Sequence, residues 1–501
     1  MKNKMRTLNI SKEESAPYVV VVHGPPKVGK SLLIKSLVKH YTADKTLPDI
    51  TNPITIISGG DKRIQFVECP NNVNGMIDAA KYADAVIFLI DISYDFELET
   101  FEFLDLLKVR GMPKVMGVLT YLDSFVDVEK LKRDKEDLVD SFNREISEAA
   151  EVFCLSRLDN HGMYLEDEIR ELVRLISAME LHSFSGRVEQ PYVLVDRFVD
   201  VTPPERLCRD IDCTRNVNLY GYLRGRDIKK GTKLHIAGVG DFHSACVARV
   251  ADPCPLPSVD GHNMETDLDE TTYSEIGSFK PGTYLRLEVH GVPSEMVNSR
   301  HPCQPILVGG ISPKEEKDGY MQVIMLVELK QHNWHTKPLK TNVPIIVSVG
   351  WRRYQTTPIY TLKDCPEQLE HTLEDVPCLA AFWGPLSPPD TKVVAVKSLA
   401  NHEASFRILA TGVILNNHAA KIVKKSTRTG TPCKIFNDLS LALIEGMFTS
   451  DDEVNQFKDA KLMTSSGIPG EVNEVSVLNV ETYFPPSVLA LGCSICFLMC
   501  I

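Results

Sequence analysis

Tyr18–His23 is an apolar run (YVVVVH) that leads directly into Gly24-Pro25-Pro26-Lys27-Val28-Gly29-Lys30-Ser31, and Ser31–Tyr41 then continues with helical spacing. No other stretch restricts the fold as much. The spacing G-x-x-x-x-G-K-S needs glycine at two points where the chain turns tightly and aims backbone N–H groups at anionic oxygens. Lys30 supplies an ammonium for the β- and γ-phosphates and Ser31 a hydroxyl for Mg²⁺. The helix that opens there adds the positive end of its dipole. All eight residues from Gly24 to Ser31 are therefore expected to bind phosphate.

The pattern continues with apolar runs at Ile64–Cys69, Ala85–Asp91, Lys114–Leu119 and Val152–Leu155. Helix-length segments lie between them, near Val73–Ala83, Glu97–Arg110 and Val128–Ala149. Continuous apolar strands alternating with helices predict a parallel sheet covered on both faces, an α/β nucleotide-binding domain over residues 1–185. After Gln190 the texture changes to short β-branched segments between Gly, Pro and Asp turns: YVLVDRFV, VNLYGYLRG, TKLHIAGVG. These predict β-barrel modules, the first over 190–257. Ser258–Ser278 carries six carboxylates and no Lys or Arg, so 258–280 is expected to be an acidic linker or loop. A β-rich C-terminal barrel region follows over 281–485. The tail 486–501 has no charge from Val488 onward. It is too short to span a bilayer comfortably and is expected to form a last strand. No other stretch suggests a membrane segment.

Net charge is −12 in 501 residues, which excludes a uniformly basic nucleic-acid binder and leaves only local patches. Two windows lack acidic residues. Leu329–Lys363 holds Lys337, Lys340, Arg352 and Arg353 among Trp334, Trp351 and Tyr354, and Ala404–Asn437 holds Lys421, Lys424, Lys425 and Arg428. Basic residues interleaved with aromatics suit a phosphate backbone and splayed bases. The competing reading is solvated strand edges carrying Lys against aggregation, with Trp351 in a core. Thirteen scattered cysteines and a polar, mixed-charge start from Met1 to Lys12 favour a reducing compartment. Cys493 and Cys496 have C-x-x-C spacing without visible partners and read as apolar tail residues.

A guanine reader needs a carboxylate after a later strand. Lys114–Leu119 runs into Thr120-Tyr121-Leu122-Asp123, where only the Asp of the usual N-K-x-D remains. Base choice is therefore assigned to Asp123, with Thr120 beside it and Ser156 in the next loop closing over the base. The competing reading of Asp123 is a helix N-cap. Where D-x-x-G is usual, the chain reads Glu68-Cys69-Pro70-Asn71. Glu68 can hold Mg²⁺ through water, Asn71 replaces the Gly that offers its N–H, and Asn72 stands where a longer side chain orients water. Thr55 is the candidate to complete the Mg²⁺ shell, or is only a strand residue. The catalytic set is thus Lys30, Thr55, Glu68 and Asn72. Lys27 either places its ammonium where some GTPases hold a monovalent cation or is a solvated loop lysine. The damaged water-orienting segment predicts slow turnover, since well-equipped small GTPases alone reach only about 10⁻⁴ to 10⁻² per second.

The combination GPPKVGKS, TYLD and ECPNN resembles the ribosome-biogenesis GTPases of the nucleolar small-subunit processome. The likeness extends through GYLRG (221–225), GVGDF (238–242), DPCPLP (252–257), SVGWRRYQTTPIY (348–360), AFWGP (381–385), RILATGV (407–413) and KIVKK (421–425). The intact phosphate loop resembles that family's nucleotide-binding branch. The resemblance implies a translational-GTPase-like architecture, GTP and Mg²⁺ as ligands, and a nuclear, nucleolar location. It also implies as partners pre-rRNA, a box C/D snoRNA, an RNA 3′-terminal phosphate cyclase-like protein and other processome proteins. The chain departs from the family in lacking a long charged insertion and basic extensions, and in its sequence after Thr482-Tyr483-Phe484-Pro485. The functional expectation is a partner-completed GTP switch. The alternatives are a GTP-bound scaffold with little hydrolysis, or a translation factor, against which the altered switch argues. Asp123→Asn should move preference from guanine toward xanthine nucleotides in competition binding; unchanged guanine affinity would remove Asp123 from the role.

Overall fold

The computed structural model describes residues 15–42, 53–58, 62–94, 96–125, 127–147, 150–179, 190–256, 278–298 and 304–327. It continues, with breaks, over 330–416 and then as separate strand segments between 425 and 500. The valines of β1 (Tyr18–His23) are fully buried, as a strand covered on both faces requires. The sheet order is β2 (Ile54–Ser58), β3 (Lys62–Glu68), β1, β4 (Ala85–Asp91), β5 (Lys114–Thr120), β6 (Glu151–Cys154). Helices α1 (Lys30–Thr42), α2 (Val73–Tyr82), α3 (Leu98–Arg110), α4 (Val128–Glu145) and α5 (Glu166–Ala178) connect and cover it. All pairings are parallel except β2 with β3, so the expected parallel sheet carries an antiparallel edge hairpin. Gly117 on β5 admits Phe142 of α4: a Cβ there would lie 3.0 Å from the ring. Phe142 and Leu138 are thus the two buried residues that seat an otherwise highly charged helix.

The first barrel is built from β7 (Tyr192–Val195), β8 (Arg197–Asp200), β9 (Arg215–Arg224), β10 (Ile228–Lys229), β11 (Lys233–Ile236), β12 (Gly240–Arg249), β13 (Ser278–Phe279), β14 (Tyr284–Val292) and β15 (Ile306–Gly310). Pairings run β7–β9–β14–β12–β11–β15 and return to β7, so this ring closes on itself. The boundaries expected at 257 and 281 are corrected by this closure, because β14 and β15 lie beyond the acidic stretch and belong to the first barrel. Without β14, β9 and β12 would each lose a paired neighbour. The first compact unit extends to Ser312 and the second starts at Pro313.

Among its described residues the second unit holds two large sheets and a short two-stranded hairpin, Lys330–Gln331 with Trp334–His335, rather than one region. An eight-stranded sheet spans strands from Asp318–Leu326 to Ile408–Asn416, with a core that includes Met321, Val347, Phe382 and Val393. A closed six-stranded barrel follows. Its strand Ile495–Cys500, from the charge-free tail, pairs with Lys425–Gly430 and Lys461–Thr464. Among the described residues no helix is long and apolar enough to cross a membrane.

Within the first unit, β3 is tied to the barrel by buried charge. Arg63, its side chain 2% exposed, lies 2.5 Å from Asp252 and over the Tyr222 ring, whose hydroxyl also donates to Asp252. Arg63 donates as well to the Ser15 carbonyl, and Arg224 donates to Gln65 (3.0 Å) and to the Pro17 carbonyl. Removing one partner strands a desolvated charge. Asp252→Leu should therefore cost about 3 kcal/mol in urea unfolding, and adding Arg63→Met should recover much of it. A double variant no more stable than Asp252→Leu would place the stabilisation outside this pair.

Candidate functional site

The loop between β1 and α1 has the form its glycines demand. Gly29 has φ +101°, and a Cβ there would lie 2.8 Å from the Tyr164 hydroxyl. A Cβ on Gly24 would lie 2.6 Å from the Leu89 carbonyl oxygen. The loop is thus pressed against the sheet's C-terminal edge with no room for larger residues. Pro25, Pro26 and Val28 span it between the glycines. Exposed Lys27 adopts the left-handed conformation at φ 67°, and its carbonyl accepts a 2.8 Å hydrogen bond from the Tyr121 hydroxyl.

Lys30 is buried at 4% exposure, and its three N–H donors are all engaged: Gly24 O at 2.9 Å, Pro25 O at 3.0 Å and Asn71 Oδ1 at 2.7 Å. Burial lowers its pKa from the ordinary lysine value, opposed by the negative charge of Glu68. The Asn71 amide oxygen stands in for an anionic oxygen on that ammonium. Ser31 Oγ donates to Glu68 Oε2 at 2.6 Å. A glycine cradle, a buried ammonium with one exchangeable partner and two converging hard oxygens fit a polyphosphate and the magnesium that accompanies one.

Two switch expectations take a different form. Thr55 lies opposite Gln65 and accepts from its amide at 3.2 Å. Gln65 is three residues before Glu68, about 10 Å along the strand. The structure therefore does not bring Thr55 to Ser31 and Glu68. β2 is antiparallel to β3, so its start points toward the Glu68 end; the next hydroxyl residue in that direction, Thr51, lies outside the described residues. Asn72 is the N-cap of α2, its Oδ1 accepting from Gly75 N at 2.7 Å. A side chain held as a cap is not free to orient water.

On the base side, Thr120 is buried at the end of β5 and donates to Ile90 O at 3.3 Å. Asp123 is exposed in the short turn Leu122–Ser124, and the cap of α4 is Asp127 instead. The helix-cap reading of Asp123 is thereby removed. Ser156 is held by Glu168, whose carboxylate accepts from its N–H at 3.1 Å and its hydroxyl at 2.5 Å. Sequence reasoning missed four supporting groups: Asn71 on Lys30, Glu168 on Ser156, Tyr121 on Lys27 and Tyr164 against Gly29. Each contact is made across the fold, and nothing local in the chain announces it.

The basic windows divide. Lys340 is exposed and Arg353 half-buried, but Arg352 is buried and donates to the Glu315 carbonyl at 2.6 Å. That guanidinium is a packing element and is corrected out of the RNA set. Lys337, Lys421 and Lys424 lie outside the described residues, and Lys425 and Arg428 sit on the strand Lys425–Phe436. Among the described residues no His, Cys, Asp or Glu group is arranged to hold a metal by itself. The cap assignment of Asn72 predicts that Asn72→Ala lowers stability by about 1 kcal/mol and that Asn72→Asp restores it, with single-turnover hydrolysis unmoved in both. A large hydrolysis defect in Asn72→Asp, with stability intact, would return Asn72 to water positioning.

Known proteins resemble this chain in sequence and in fold. The family described as 40S ribosome biogenesis protein Tsr1 and BMS1 C-terminal matches residues 260–478, and the AARP2CN (NUC121) domain matches 181–253. The Schizosaccharomyces pombe ribosome biogenesis protein bms1 is 42% identical over 92% of this chain and 76% of its own length. That alignment, at 855 positions, is longer than this chain, so the relative carries long segments absent here. The human BMS1 homolog is 39% identical over 63% of this chain but only 25% of its own length, and Saccharomyces cerevisiae BMS1 is 45% identical over 49% and 21%. Translation elongation factor SelB from Methanococcus maripaludis, apo and with the GTP analogue GppNHp, superposes with TM-score 0.52 over 97% of this chain at 12–13% identity. The fold is thus an α/β P-loop GTPase domain followed by β-barrels, as in translational GTPases. The chain belongs to the BMS1 family of ribosome biogenesis proteins.

Proposed function

We propose that this chain is a GTP-binding assembly factor for the small ribosomal subunit, a slow GTPase switch completed by its partners during pre-rRNA processing in the nucleolar processome. The observation that carries the reading is the contrast within one site. Lys30, Ser31 and Glu68 are intact and gathered, while Asn72 is engaged as a helix cap. Lys30 would neutralise phosphate charge, Ser31 and Glu68 would hold Mg²⁺, and the exposed Asp123 carboxylate would accept from the guanine edge. The metal would supply charge neutralisation at the transferring phosphoryl oxygens. The residue at the water-orienting position, Asn72, is engaged as a helix cap, which supports slow intrinsic turnover.

The chain spans about a quarter of the human relative's length, so activities of the longer proteins reach it only as proposals. Pre-rRNA, a box C/D snoRNA and the cyclase-like protein are proposed partners, with exposed Lys340 and the strand carrying Lys425 and Arg428 as RNA contacts. The capped Asn72 also favours a second reading, a GTP-bound scaffold with little or no hydrolysis. Single-turnover GTP hydrolysis, alone and with pre-rRNA fragments and the cyclase-like protein, separates the two. Tight binding with turnover that rises on adding them is the expected result. Tight binding without turnover under any condition would leave the scaffold, and no GTP binding would end both.

A further inference from the structure

β12 changes partners partway along its length. As far as His243 it pairs with β11, and from Ser244 to Arg249 it pairs with β14 on its other side. The change falls at a bulge between Ser244 and Cys246, where Ala245 is the extra residue. Beyond the bulge, the side of β12 turned away from β14 has no strand partner among the described residues. It borders an open groove of about 430 Å³, lined without a gap from Ser244 to Val250 and then by Lys230, Gly231, Phe279 and Arg286. Ser244 Oγ donates to Thr232 O at 3.0 Å and ties the bulge to the turn after β10. A strand edge left in this way presents alternating N–H and C=O groups.

The groove is also one-sided in charge. Lys230, Arg249 and Arg286 line it and no Asp or Glu does, in a chain of net charge −12. Arg286 Nε is buried without a hydrogen-bond partner among the described residues. A carboxylate entering beside Arg286 would relieve that cost. Arg286 stands opposite Ala248, so their side chains share one face of the sheet, and Arg249, the next residue, points to the other. Farther across the first face, Tyr220 lies opposite Arg286 and carries the Arg197 guanidinium over its ring. Glu288, two residues from Arg286 on that face, is engaged by His290 at 2.7 Å.

We propose that this groove docks an extended acidic peptide of a partner protein, which adds as a strand along Ala245–Arg249 and sets its carboxylates on Arg286, Arg249 and Lys230. The edge supplies backbone hydrogen bonds and the cations supply the preference. Successive side chains of a strand point to opposite faces, and cations stand on both, so the segment recognised carries acidic residues at consecutive positions. An RNA phosphate would meet the same cations, but it has no donors for the carbonyls of the edge. Phe279, the aromatic residue of the lining, is buried in the barrel core and offers no face to a base. Docking here is independent of the nucleotide reading above.

The test uses the full chain and a fluorescein-labelled Val-Thr-Glu-Asp-Glu-Val-Thr peptide, followed by anisotropy. Its Gln-Asn-Gln counterpart removes the charge, and the acidic peptide with N-methylated backbone amides keeps the charge but cannot pair. Labelled oligouridylate is the nucleic-acid probe. The wild type should bind the acidic peptide roughly tenfold or more tighter than either altered peptide, and Arg249→Glu and Arg286→Gln should each weaken it by roughly ten- to a hundredfold. Urea unfolding checks that Arg286→Gln is folded; if it is not, Arg249→Glu, at an exposed position, carries the comparison. No binding of the acidic peptide, or affinity unchanged in the folded variants, would overturn the proposal. Equal binding of the N-methylated peptide would overturn strand addition. Oligouridylate bound more tightly than the peptide, and lost in Arg249→Glu, would make the groove an RNA site instead.

Discussion

A buried ammonium organises the α/β domain. Lys30 sits almost wholly out of water, and an unpaired charge there would be too costly to keep. The chain answers with two loop carbonyls, the Asn71 amide and the nearby Glu68 carboxylate. Those partners come from opposite sides of the site. The carbonyls fix the loop that leaves β1, and Asn71 fixes the segment that leaves β3. Satisfying one charge thus sets the distance between the two segments that flank the proposed phosphate site.

β3 is engaged at both ends. At one end Glu68 accepts from Ser31, and at the other Arg63 and Gln65 are bound by Asp252 and Arg224 of the barrel. The Arg63 guanidinium is enclosed by a carboxylate, a carbonyl and an aromatic face, so the strand cannot slide without breaking interactions that water cannot replace. The same strand therefore carries Glu68, the proposed metal ligand, and a polar anchor to the first barrel.

Much of this was legible in the chain, and the divide follows the range of the interaction. The phosphate loop, β1 and the alternating strands and helices rest on local spacing, and they stand where the sequence places them. The Asn72 cap was also readable, since Asn immediately before a helical run is a start signal, but the functional expectation took precedence over it. Barrel closure by β14 and β15 was not readable, because it depends on pairing across the acidic stretch with strands far earlier in the chain. Thr55 failed on register, which no local pattern fixes. Arg352 failed because a basic residue in a basic window gives no sign that its strand turns it inward onto a carbonyl.

The six-stranded barrel of the second unit carries a consequence for biosynthesis. Its pairings with Ile495–Cys500 are made by strands that emerge from the ribosome well before it. Until Cys500 follows, the other five strands form an open sheet whose two rims, Lys425–Gly430 and Lys461–Thr464, present unpaired backbone groups. The nascent chain therefore passes through an interval in which its own Ile495–Cys500 strand and any foreign strand compete for the same two rims, and a chaperone that shields an open β-edge would act in that interval.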